Sequence, residues 1–222
     1  MNIIFDLDGT LIDSAPDIQA VAGAILTGLG KPPLTLAETR DFIGEGAKVL
    51  VSRMMAARGI VETPEMHAEI YGNFVAEYEN AVDLAVFYPG VLDSLALLKD
   101  QGHQLGLCTN KPEKPARAVL RHMGLDTTFD AFIAGGMVPA VKPDPAPLHA
   151  VIRELGGGPT LYVGDSGTDA RTARNAGIPF ALYTEGYRKT PVDQIPHDWA
   201  FDDFASLPGI VLAAGAGRAA AQ

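Results

Sequence analysis

Cysteine is almost absent from this chain. Cys108 is the only one in 222 residues, so no intrachain disulfide can form and a thiolate metal centre is excluded. Long apolar runs are missing too. The longest candidate, Leu207 to Ala216, is short and carries Pro208, well under the ~20 residues that cross a bilayer. At the N-terminus Asp6 and Asp8 interrupt the one apolar segment, which leaves no secretory signal and predicts a cytoplasmic protein. Positive charge is scarce: 17 Lys and Arg against 27 Asp and Glu give a net charge of -10. Phosphate backbones and anionic lipids need a basic surface, so neither nucleic acid nor membrane is expected as a partner. An anionic small substrate would need cations gathered locally. The five histidines show no ligand spacing, and Trp199 reads as core rather than as a stacking platform.

What is present is 47% hydrophobic residues, ordinary for a globular protein. The length exceeds a usual single domain and falls short of two, which suggests a core with a modest insertion. The densest chemistry is Phe5-Asp6-Leu7-Asp8-Gly9-Thr10, two carboxylates one residue apart after the apolar run Ile3-Ile4-Phe5. That run predicts a short, fully buried parallel strand. The acids then fall at its carboxyl end, where open α/β sheets bind ligands, with Gly9 allowing a sharp turn. On its own such a turn can instead be a helix cap or a calcium-type loop.

The remaining pattern places the motif. Ser14 predicts an N-cap followed by Pro16, and Ile18, Val21, Ile25 and Leu29 recur at helical spacing. Helical patterns continue over residues 36–42, 47–58 and 63–78. From Tyr88-Pro89-Gly90 onward helices and strands alternate, with strands expected at 105–108, 129–134, 160–163 and 179–183. Alternation of this kind implies a mainly parallel, doubly wound sheet. The layout is an α/β core (1–14 plus 87–212), an inserted all-helical block (15–86), and a disordered tail (213–222). An insert emerging beside a catalytic strand end is placed to act as a lid.

Three further clusters fall at strand ends. Cys108-Thr109-Asn110-Lys111 offers a hydroxyl and free backbone N–H groups at a strand-to-helix turn, either a phosphate cradle or an ordinary cap. Val141-Lys142-Pro143-Asp144-Pro145 sets a lysine in a stiff segment, suited to a point charge on a phosphate or carboxylate, although a lone lysine is normally a solvated surface charge. Gly164-Asp165-Ser166-Gly167-Thr168-Asp169 carries two acids four apart that can face one point, or that cap a helix.

These four clusters, in this order, resemble the haloacid dehalogenase superfamily; the resemblance spans the chain apart from its tail and implies a Rossmann-like α/β core (1–14 plus 87–212) with an inserted all-helical cap (15–86). It implies that Asp6 is the nucleophile forming an aspartyl-phosphate and that Asp8 is the general acid and then the base. It further implies Mg²⁺ held by Asp6, the Asp8 main-chain oxygen and Asp165, with Asp169 supporting from behind. Thr109, the Asn110 backbone and Lys142 would bind the phosphoryl oxygens. Dehalogenases lack the second acid. Related sugar phosphate mutases carry an apolar residue where this chain has Thr10 and a hinge histidine where it has Ile18, so both positions favour hydrolysis. Phosphonate hydrolysis in the family uses a Schiff-base lysine in the cap, and neither Lys31 nor Lys48, the lysines of the insert, stands in a matching context.

Residues 41–47, Thr109-Asn110-Lys111-Pro112 and Thr184-Glu185-Gly186-Tyr187 resemble bacterial phosphoglycolate phosphatases. The resemblance implies a small phosphorylated metabolite as partner. Gly44 and Gly46 would then bring cap N–H groups to a small carboxylate, with Arg40 or Lys48 adding charge. The G-x-G is equally a helix-start turn. The alternatives are a phosphatase for another small phosphomonoester, a β-phosphoglucomutase-like phosphotransferase, and a non-catalytic phosphate-binding scaffold. The sequence leaves the oligomeric state open.

Overall fold

The apolar run at the N-terminus forms β1 (Asn2–Phe5), buried at every position. In the computed structural model, which describes residues 1–219, β1 lies between two parallel neighbours, β4 (Gln104–Pro112) and β6 (Thr160–Gly164). Its side chains alternate between the two faces of the sheet. Ile3 and Phe5 join one apolar cluster with the helices α5 (Val91–Asp100), α6 (Glu113–His122) and α9 (Leu207–Ala219); Ile4 joins another with α7 (Ala146–Glu154) and α8 (Gly167–Ala176). A strand buried on both faces has no polar alternation, which explains its unbroken hydrophobicity.

The sheet is six-stranded, in the order β5-β4-β1-β6-β7-β8, with β5 at Ala131–Gly135, β7 at Phe180–Tyr183 and β8 at Trp199–Phe201. Every pairing within it is parallel. Register puts Phe5 opposite Leu107 and Val163, so Asp6 emerges beside the ends of both neighbouring strands. That is the crevice where this architecture binds ligands.

Between two short strands, β2 (Ile12–Asp13) and β3 (Val86–Phe87), the chain makes four helices, α1 (Ala15–Gly28), α2 (Leu36–Phe42), α3 (Ala47–Ala57) and α4 (Pro64–Tyr78). They bury a separate apolar cluster containing Leu26, Val51, Met54, Met55 and Phe74. A two-stranded antiparallel ribbon, β2 (Ile12–Asp13) with β3 (Val86–Phe87), ties together the chain entering and leaving this block. Its two-residue strands are too short to show a period. Residues 213–219, expected as part of a disordered tail, are helical instead. Leu207, Val211 and Ala214 recur on one face of α9 and pack on the core, a helical stripe that the Ala/Gly-rich composition obscured. Residues 220–222 of that expectation lie outside the described residues.

Candidate active site

The turn after β1 carries Asp6, whose Oδ1 accepts from the Leu7 N–H at 2.7 Å and lies 2.9 Å from Lys142 Nζ. Lys142 is only 2% exposed, and its ammonium also donates to Asp169 Oδ1 at 2.8 Å and the Tyr162 hydroxyl at 2.9 Å. Burial alone would lower the Lys142 ammonium, but Asp169 and Asp6 outweigh it and hold it above the usual lysine value. The sequence read Lys142 as a point charge in a stiff segment; the structure makes it the buried link between two acids.

Asp169 is both readings at once. Its Oδ2 accepts from the Ser166 N–H and hydroxyl at 3.1 and 2.5 Å, closing a capping box at the start of α8, while its Oδ1 serves Lys142 and Tyr162. Burial would raise its carboxyl, yet Lys142 and these donors hold it below the usual range. Asp165 leaves β6 at the neighbouring strand end. Thr10 Oγ1 donates to its Oδ1 at 2.8 Å and the Tyr187 N–H to its Oδ2 at 2.6 Å. Burial, with Asp169 and Asp6 nearby, pushes Asp165 well above the usual carboxylate value, and burial pushes Asp6 up to about 7 against the pull of Lys142.

Oxygen atoms from Asp6, Asp165 and Asp169 lie within 4.8 Å of one another. One ammonium faces this buried acid cluster, so negative charge is in excess, and every donor is a hard oxygen. Such a set fits a divalent cation of the magnesium or calcium type. Asp165 and Asp6 have the freer oxygens; those of Asp169 are committed to Lys142, Tyr162 and Ser166.

Asp8 is held differently. Its Oδ1 accepts from Ser14 Oγ at 2.5 Å and from Lys111 Nζ at 3.0 Å. Ser14 was expected to cap α1, but its side chain makes no cap bond; the hydroxyl is spent on Asp8, and the Tyr187 hydroxyl takes the Ser14 and Ala15 N–H groups at 2.8 and 3.0 Å. Lys111 was read only as part of the cluster at the end of β4. β4 runs on to Pro112 with its register against β5 broken between Cys108 and Pro112, and Thr109 and Lys111 both line the cleft described below. The Lys111 ammonium also meets the hydroxyl of Tyr78, from α4 of the cap block.

The cap closes over these groups. A cleft with about 420 Å³ of free space is lined by Asp6, Asp8, Thr109, Asn110 and Lys111 below and by Ile18, Ile43, Gly44, Gly46, Leu50, Phe74 and Tyr78 above. Gly44 and Gly46 take φ of 114° and 92°, values that favour glycine. The Gly44 carbonyl accepts from Asn110 Nδ2 at 3.2 Å, so this glycine offers the core strand its oxygen. The Asn110 side chain is otherwise spent on the Lys142 backbone, donating to its carbonyl and accepting from its N–H, both at 2.9 Å. Arg40 and Lys48 line neither this cleft nor the adjoining cavity on the Asp165 side. Arg40 pairs with Asp13 at 2.7 Å, and Lys48 lies over the Tyr71 ring at 5.7 Å. The structure does not bring these two expected residues to the cleft: Asp13 claims the first, and the second is exposed. Arg171 and Lys189 line the adjoining cavity instead.

Over residues 3–183 the chain matches the family described as haloacid dehalogenase-like hydrolase. A phosphoglycolate phosphatase from Rhodobacter capsulatus is 46% identical over 211 residues, spanning 94% of this chain and 95% of that protein. A crystal structure of a predicted phosphoglycolate phosphatase from Haemophilus somnus 129pt aligns with a TM-score of 0.87 at 34% identity, over 94% of this chain and 96% of that one. The structure of CbbY from Rhodobacter sphaeroides in complex with phosphate aligns with a TM-score of 0.80 at 25% identity, over 93% and 95% of the two chains. With four ordered motifs converging on one crevice and a match over most of its length, this chain belongs to the haloacid dehalogenase-like hydrolase family.

Proposed function

We propose that this chain is a magnesium-dependent phosphomonoester hydrolase that works through a phosphorylated Asp6, with 2-phosphoglycolate as its substrate. The observation that carries the reading is the inequality of the two acids. Asp6 has one oxygen fixed by Leu7 N–H and Lys142, which leaves Oδ2 to attack phosphorus. Asp8 has one oxygen fixed by Ser14 and Lys111, which leaves the other to carry a proton.

In the first step Asp6 bonds to phosphorus, the ester P–O bond breaks, and Asp8 gives its proton to the departing glycolate oxygen. In the second, Asp8 takes a proton from water, the water oxygen attacks phosphorus, and Asp6 leaves as a carboxylate with inorganic phosphate released. Thr109 and the Asn110 N–H bind the phosphoryl oxygens, and Lys142, whose three hydrogens go to Asp6, Asp169 and Tyr162, adds its positive charge from beneath. Asp169 holds Lys142 in place, and Thr10 and Tyr187 hold Asp165. Mg²⁺, bound by Asp6, the Asp8 carbonyl and Asp165, would supply the positive charge that lets an anionic nucleophile approach an anionic ester. The cap, residues 15–86, screens the cleft from water over a core of 1–14 with 87–219. In this reading the substrate is a free metabolite of the cytoplasm. No helix among the described residues is long and apolar enough to cross a membrane, and the acidic balance argues against nucleic acid.

The names of the relatives and the small, largely hydrocarbon-walled cleft support the substrate. Hydrolysis of a phosphomonoester panel with and without chelator is the test. The expected result is a preference for 2-phosphoglycolate that disappears with chelator, and no turnover by Asp6→Asn with an intact fold. A strong preference for a sugar phosphate overturns the substrate, and substantial Asp6→Asn activity overturns the nucleophile.

A further inference from the structure

We propose that Lys111 is the specificity-determining residue of this site: its ammonium binds the carboxylate of the leaving group. The inference rests on the phosphatase reading above and deepens it. The Lys111 side chain is 2% exposed, and a buried ammonium requires partners for its charge. It has three hydrogens to donate. One goes to Asp8 Oδ1 and one to the Tyr78 hydroxyl, which leaves one for a ligand in the cleft that Lys111 lines. Holding Asp8 is too little work for this residue, because Ser14 Oγ already donates to the same oxygen at 2.5 Å.

The surroundings point the same way. Lys111 is the one Lys or Arg among the residues lining this inner cleft, while Lys142 serves Asp6 and Asp169 beneath it. Apart from Tyr78, whose hydroxyl meets Lys111, the side chains of the upper wall are Ile18, Ile43, Ala47, Leu50 and Phe74, all hydrocarbon. A polyhydroxylated leaving group would leave its hydroxyls unpaired there, whereas a short acid has one anionic end to satisfy. Lys111 meets Tyr78 of the cap and Asp8 of the core, so a carboxylate bound to it sits at the seam between the two, next to the group that protonates the departing oxygen.

The experiment compares kcat/KM for 2-phosphoglycolate with that for ethyl phosphate, which replaces the carboxylate by methyl. Any effect of Lys111 through Asp8 falls on both substrates alike and cancels in the ratio. Lys111→Met is expected to lower the wild-type preference about 50-fold, mainly through KM for 2-phosphoglycolate. Lys111→Arg, which keeps the charge, should retain part of that preference, and Lys111→Gln carries the same test if the methionine variant does not fold. An unchanged ratio overturns the inference, as does loss of the preference in Arg171→Met or Lys189→Met instead. A wild-type protein with no preference for 2-phosphoglycolate overturns the substrate reading and this inference with it; a preference that survives removal of the lysine overturns this inference alone.

Discussion

Replacing Lys142 by methionine keeps the length of the side chain and removes its charge. In the native site that charge lies 2.9 Å from Asp6 Oδ1 and 2.8 Å from Asp169 Oδ1, with the lysine and Asp169 side chains each 1% exposed. Removing one partner of a buried ion pair costs about 3–5 kcal/mol, because the remaining charge stays desolvated. In a chain of this size each kcal/mol moves the midpoint by about 2–4 °C, so Tm should fall by about 6–20 °C. The loss should grow from about pH 5 to about pH 8, since Asp6, raised to about 7 even with the lysine present, can shed its charge by protonation at the lower pH. Mg²⁺ should recover part of the deficit by binding the folded state alone. Thermal unfolding followed by circular dichroism, at both pH values and with and without Mg²⁺, reads all three effects. A Tm change under about 2 °C, independent of pH, would refute the picture of Lys142 as the cation that makes the acid cluster tolerable.

Gly186→Ala would drive a methyl group into the Gly9 carbonyl oxygen and to 2.6 Å from Asp165 Cγ, displacing a proposed metal ligand; kcat/KM should fall about 10–100-fold with a higher Mg²⁺ requirement. By contrast Gly72→Ala, within α4 with nothing near the new methyl, should raise stability by about 0.5–1 kcal/mol and leave activity unchanged, as denaturant titration and steady-state assay would read. In the metal-free protein, Asp6 moves from 3.8 to about 7 on folding, so the folded chain holds a proton that the unfolded chain has lost. Its contribution to stability is complete below about pH 4 and is lost as pH rises to about 7; calorimetric Tm should decline across that window, and Mg²⁺ should flatten the slope.

Much of this site was legible because strand ends carry it. A fully apolar β1 announces a central parallel strand, and the acids and hydroxyls at the carboxyl ends of β1, β4 and β6 must converge once those strands lie side by side. Contacts between cap and core were not legible. Nothing in the local pattern tells Ser14 to bond Asp8 rather than cap α1, brings the Tyr187 hydroxyl to the start of that helix, or sends Arg40 to Asp13. The Tyr187 and Arg40 contacts are long-range choices set by how two apolar clusters dock, whereas Ser14 and Asp8 are six residues apart within the core segment. The edge strand β8 and the ribbon of β2 and β3 escaped because two or three residues carry no period. The position of Lys111 was not legible either, because the end of β4 past Cys108 is irregular and carries no strand period.

The most direct measurement is to quench the reaction with 2-phosphoglycolate and Mg²⁺ in acid on the millisecond scale and map phosphorylated peptides by mass spectrometry. The account predicts transient phosphate on the N-terminal peptide, at Asp6, formed faster than turnover and absent in Asp6→Asn. Steady turnover with no phosphopeptide under single-turnover conditions, or phosphate on another residue, would contradict it.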